Sequence, residues 1–233
     1  MFLFDPTYLM YMLPALLLTF LASMYVRSTY NRWSRVATRS GLTGAQAAQR
    51  LINNGGLYGV QIQGIAGKMS DNYDPRTKVL RLSAGVGNST SVAALAIAAH
   101  ELGHAMQDAE EYFPLKLRAA LVPAVNIGSN LGWILIMVGL FLRVSQLAWL
   151  GVFAFAVGAV FALATLPVEF NASSRARRLL SDTGLIVGED EQRGVNQVLT
   201  AAALTYVAAL VTAVMQLFYF SGLAGGIGGR RRG

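Results

Sequence analysis

The sequence has no cysteine and only two histidines in 233 residues, and just 13% of it is charged. Without cysteine there is no disulfide framework, no thiolate metal site and no thiol nucleophile, so any metal must be held by histidine or carboxylate. A soluble domain carries about a quarter charged residues, roughly twice what is found here. With 54% hydrophobic residues the chain is also far from the composition of a disordered polypeptide. The net charge of +7 forms no aromatic-interleaved patch and accompanies no nucleic-acid motif, so no nucleic-acid partner is expected. The charge is better read by its position relative to long apolar runs.

Four runs meet the requirement of about 20 mostly apolar residues for crossing a bilayer: 8–26, 122–142, 147–168 and 198–220. The expected fold class is therefore mainly α, a multi-pass membrane protein with four transmembrane helices and the lipid bilayer as its first partner. The short link Arg143-Val144-Ser145-Gln146 makes the second and third runs an antiparallel hairpin. The residues before the first run, Met1 to Asp5, lack the positive charge of a secretory signal, so that run reads as a retained anchor. If all four runs cross, fifteen of the 19 Lys and Arg residues fall in segments 27–121 and 169–197, on one side. The positive-inside rule assigns that side to the cytoplasm, at the cell membrane. Arg230 to Arg232, in the Gly/Arg tail 221–233, would then lie outside, a conflict removed if the last run is a re-entrant or surface helix.

Segment 27–121 reads as a small cytoplasmic α+β domain, and 169–197 as a second cytoplasmic helix. Thr43-Gly44-Ala45-Gln46 forms a capping box for a helix through Leu51 and Ile52 that ends at Asn54-Gly55-Gly56. Val60 and Ile62 begin a strand. Asp71 to Pro75 is dense in turn formers, with Asp71 and Asp74 as turn residues, and Lys78 to Ser83 alternates as a second strand, giving a short hairpin. From Ser91 the pattern is helical and apolar on every side, which requires burial; Asn88, Ser89, Thr90 or Ser91 caps it.

Into that buried helix falls His100-Glu101-Leu102-Gly103-His104. Residues i and i+4 project from one helix face, so two imidazoles at this spacing grip one ion, and Glu101 is turned about 100° away, placed to take a proton rather than to ligate. Chance alone yields this arrangement in about one sequence in two thousand of this composition. A catalytic zinc site needs a third protein ligand, and with no third histidine it must be a carboxylate. Glu169, where the third run ends, is the best candidate because an acid there is expensive without a partner. Asp108, Glu110 and Glu111 are rivals that would have to bend back from the histidine helix.

These segments together resemble the YugP-type family of membrane zinc metallopeptidases. The likeness runs through Tyr73 to Arg76, His-Glu-x-Gly-His-Ala-x-Gln at His100 to Gln107, Pro167 to Ser173, and Ala201 to Val207. It implies that His100, His104 and Glu169 bind one zinc ion and that Glu101 is the catalytic base. A wider similarity extends to HtpX and Ste24 type membrane proteases, whose later motif is Glu-x-x-x-Asp. Glu169 matches that glutamate, but Ser173 stands at the aspartate position, so either Ser173 supports a ligand histidine more weakly or another acid does so.

The implied reaction is zinc-assisted hydrolysis of peptide bonds in membrane or membrane-proximal proteins, with strand Lys78 to Ser83 as an edge for an extended substrate. Tyr73, Asn171, Arg175 and Tyr206 are candidate donors to the transition state. Arg175, Arg177 and Arg178 are expected at anionic lipid headgroups. Two other classes compete: a membrane scaffold or regulatory subunit with structural zinc, and a channel or transporter, which the near absence of ionisable residues in the runs disfavours. The sequence leaves open a homo-oligomer or a partner in a membrane complex.

Overall fold

The computed structural model describes residues 6–229. The elements in chain order are α1 (Pro6–Trp33), α2 (Gly44–Asn54), β1 (Gln61–Ile65), β2 (Asn72–Asp74), β3 (Val79–Ser83), α3 (Ala84–Gly87), α4 (Val92–Ala109), α5 (Phe113–Phe141), α6 (Ser145–Asp182) and α7 (Glu189–Gly229). The expected mainly helical class, with a small mixed sheet, is found. Four of the helices, α1, α5, α6 and α7, are long and apolar enough to cross a membrane. Met1 to Asp5 and Arg230 to Arg232, on which part of the orientation argument rests, lie outside the described residues.

The chain forms two compact units. One comprises residues through Ala22, Lys116–Leu166 and the chain from Thr205 onward. Its helices turn Leu13, Leu16, Leu17, Phe20 and Leu21 outward, as lipid permits and water does not. Lipid supplies no hydrophobic drive for helices to associate, so close backbone packing must hold them. At the α5–α6 contact a Cβ on Gly132 would lie 2.8 Å from the Gly151 carbonyl oxygen, and one on Gly151 2.6 Å from that of Gly132. The connection is as short as expected, and Arg143 turns it in the left-handed region (φ 56°).

The other unit comprises Ser23–Leu115 and Pro167–Leu204. The capping box on α2 is present: Thr43 Oγ1 accepts from Gln46 N–H, and Gln46 accepts from Thr43 N–H. Ser91 caps α4 by accepting from Ala94 N–H. The apolar first half of α4 is buried as its composition demands, with Val92, Ala93, Leu95, Ala98 and Ala99 fully enclosed and Leu102 beyond them.

The sheet differs from the sequence expectation. Its order is β1-β3-β2, with β1 parallel to β3 and β2 antiparallel to it. The hairpin is made by β2 and β3, so Asn72-Tyr73-Asp74, expected in a turn, is a strand. The turn itself is confined to Pro75 to Lys78, where Asp74 accepts from Arg76 N–H and Lys78 takes a left-handed φ of 53°. Strand β3 is therefore central and paired on both sides, not an edge open to substrate. Val79, Leu80, Leu82 and Ser83 are all buried, as a central strand covered on both faces requires.

One helix, α6, carries both the third apolar run and the residues that follow it as far as Asp182. Helix α6 continues through Pro167, because beyond it Ala172, Ala176 and Leu180 form a buried stripe that rewards continuation. Helix α7 likewise passes through 197–198 without interruption and includes the glycine-rich residues up to 229.

Leu80 joins the core from the central strand and is fully buried. Leu80→Ala should cost about 2–5 kcal/mol in denaturant unfolding, whereas Gln63→Ala on the exposed face of β1 should be nearly neutral.

Candidate metal centre

Helix α4 presents His100 and His104 on one face, with ring centroids 4.9 Å apart and planes at 82°. Helix α6 brings Glu169, 2% exposed, against both rings. Its Oε2 lies 3.2 Å from His100 Nε2 and 3.5 Å from His104 Nε2. A tetrahedral ion bonded at about 2.0–2.2 Å sets its ligand atoms roughly 3.4 Å apart. The two separations bracket that edge length, so the donor set fits zinc, and three protein donors leave a fourth coordination position.

This convergence depends on how closely α4 and α6 cross. A Cβ on Gly103 would sit 2.5 Å from the carbonyl oxygen of Ala172 and 3.0 Å from its Cα. Only glycine permits that approach, and it falls between the two histidines in sequence and beside Glu169 and Ser173 on the facing helix.

Each imidazole has a partner on its other nitrogen. Ser173 Oγ is 3.2 Å from His100 Nδ1, at the position where the wider similarity has an aspartate. Gln107 Oε1 is 3.0 Å from His104 Nδ1. Gln107, fully buried, also donates from Nε2 to the Val168 carbonyl at 2.8 Å and to Asn171 Oδ1 at 3.0 Å. No role follows for Gln107 from sequence alone; its signals are its place at the end of the His-Glu-x-Gly-His-Ala-x-Gln segment and three residues after His104, on the same face of α4.

Glu101 Oε2 accepts from the backbone N–H of Tyr73 at 3.1 Å, which ties the carboxylate to strand β2. Burial pushes the Glu101 carboxyl above the ordinary carboxylate range, and the two imidazoles and this N–H offset only part of the rise. For His104, burial favours the neutral ring, but the hydrogen bond to Glu169 and the charges of Glu101 and Glu169 outweigh it and raise the pKa.

The other candidates are engaged elsewhere. The Tyr73 hydroxyl donates to Asp108 Oδ2 at 2.8 Å; burial and that bond push the phenol well up. Arg175 donates from Nε to Asn171 Oδ1 at 2.7 Å and grips both oxygens of Glu110 at 2.6 and 2.7 Å. Arg175 thus meets a carboxylate rather than a headgroup, and its charge and hydrogen bonds hold Glu110 below its usual pKa. Asp108 and Glu110 are taken up by these bonds, and the described cluster of possible metal donors consists of His100, His104 and Glu169, without Glu111. Asp71 accepts from the Ser83 N–H and hydroxyl, and Asp74 pairs with Arg81 at 3.2 Å. Tyr206 lies on α7 and belongs to the other compact unit.

Residues 8–224 match the family model described as "Putative neutral zinc metallopeptidase". The chain is 43% identical over 206 residues to the protein named "Putative membrane protease YugP" of Bacillus subtilis, covering 88% of this chain and 91% of that one. No solved structure matches the chain.

Gly103→Ala should force backbone from backbone where α4 meets α6. A loss of about 1–3 kcal/mol is expected, read as a lower thermal unfolding midpoint in detergent, whereas Gly56→Ala, with open space around its Cβ, should cost only the strain of its positive φ.

Proposed function

The chain belongs to the neutral zinc metallopeptidase family, and on that premise we propose that it is an integral-membrane peptidase with one zinc ion held by His100, His104 and Glu169. The observation that carries the reading is the convergence of these three donors at separations suited to a tetrahedral ion. Bound there, zinc polarises the scissile carbonyl and lowers the pKa of water toward 7.

The chain's own residues do the rest. Glu101 accepts a proton from the attacking water and returns it to the leaving amine, the acid–base role its position one residue from His100 allows. The Tyr73 N–H occupies one of its oxygens and leaves the other for that traffic. Burial raises the Glu101 pKa, which makes the carboxylate a stronger proton acceptor than one in water. Ser173 and Gln107 hold the far nitrogens of the two rings, and Asn171 and Arg175 support Gln107 rather than the reacting atoms. The substrates are membrane or membrane-proximal proteins. The excess of Lys and Arg in segments 27–121 and 169–197 supports a cytoplasmic face for the site at the cell membrane.

Two measurements test this. The purified full chain should carry about one zinc per polypeptide and digest casein; a chelator should abolish digestion, and added zinc should restore it. Glu101→Gln should retain the metal yet lose about 10²–10⁴-fold in turnover. Zinc retained without digestion in the wild type would favour the scaffold reading, and full activity in Glu101→Gln would overturn the mechanism.

A further inference from the structure

The hydrogen bonds around His104 fix the position of one proton. The Val168 backbone carbonyl only accepts, so the Gln107 atom 2.8 Å from it must be the amide nitrogen. The same nitrogen's second hydrogen reaches Asn171 at 3.0 Å. That Asn171 atom must be oxygen, because the Arg175 Nε, a donor only, lies 2.7 Å from it. The Gln107 atom facing His104 is therefore the carbonyl oxygen, which can only accept, and His104 Nδ1 must carry a hydrogen. In the neutral ring Nε2 is then bare, and Nε2 is the atom 3.5 Å from Glu169. His100 has no such constraint, since the Ser173 hydroxyl both donates and accepts.

We propose that Gln107 is a positioning residue that locks His104 in the Nδ1–H tautomer, presenting Nε2 as the ligand atom, and that Arg175, braced by Glu110, fixes the Asn171 amide that orients Gln107. The proposal rests on the reading of His104 as a zinc ligand. It gives a structural task to a buried glutamine and connects the candidate metal centre to Glu110, half exposed at the end of α4. Partners of this kind fix which ring nitrogen is available and raise its basicity, and losing one weakens metal binding about 10- to 100-fold.

Because the chain has only two histidines, ¹⁵N-histidine labelling of the full protein in detergent gives two rings to resolve, and Ser173→Ala marks His100. In metal-free protein, in buffer alkaline enough to keep both rings uncharged, His104 should show protonated Nδ1 and bare Nε2. Gln107→Leu should mix the His104 tautomers and lower zinc affinity, measured by chelator competition, about 10- to 100-fold. Gln107→Glu, which restores an acceptor to Nδ1–H, should recover the greater part. A wild-type His104 protonated on Nε2, or a Gln107→Leu variant with wild-type spectrum and affinity, would overturn the proposal. If Gln107→Leu does not fold, the wild-type spectrum decides alone. Failure of the wild type to bind zinc would instead overturn the metal-centre reading, since the tautomer is read without metal.

Discussion

The candidate centre depends on a contact between two backbones. Helices α4 and α6 meet where Gly103 faces the Ala172 peptide, at a separation that excludes even a methyl group. Close helix contact brings short polar side chains within reach across the interface. Ser173 could not touch His100, nor Gln107 the Val168 carbonyl, if the helices stood a side chain apart. A carboxylate as short as that of Glu169 reaches both imidazoles for the same reason. The glycine in the His-Glu-x-Gly-His segment is thus a geometric requirement of the site, though it contributes no donor atom.

Burial then gives the electrostatics their weight. The two histidines sit on a helix whose preceding residues, Val92 to Ala99, are all apolar and almost all buried. In such surroundings an unpaired carboxylate is costly, and each one is paired: Glu169 with the imidazoles, Glu101 with a backbone N–H, Asp108 with the Tyr73 hydroxyl. The polar side chains form one connected network from His104 through Gln107, Asn171 and Arg175 to Glu110, and every bond in it has a defined donor and acceptor.

What could be read from the sequence divides along physical lines. The histidine pair was legible because helical periodicity alone puts i and i+4 on one face. Glu169 was legible as an acid too expensive to leave without a partner at the end of an apolar run. The caps Thr43 and Ser91 were legible because capping is local chemistry. The strand order was not, since the parallel β1–β3 pair joins segments separated by β2, and no local pattern reports that pairing. Nor was β2, whose Asn, Asp and following Pro are also what a turn uses. Gln107 was visible as part of the motif but its task was not, as its burial and its partners arise only when α6 closes over it.

The supports of the site differ in kind. Glu101 is held by the main chain of Tyr73, so genetic drift at that codon leaves the tether in place unless it introduces an imino acid. The imidazoles are braced by the side chains of Ser173 and Gln107, which a single base change can remove. Divergence among homologues should therefore accumulate first in how the two imidazoles are braced and last in how the Glu101 carboxylate is held.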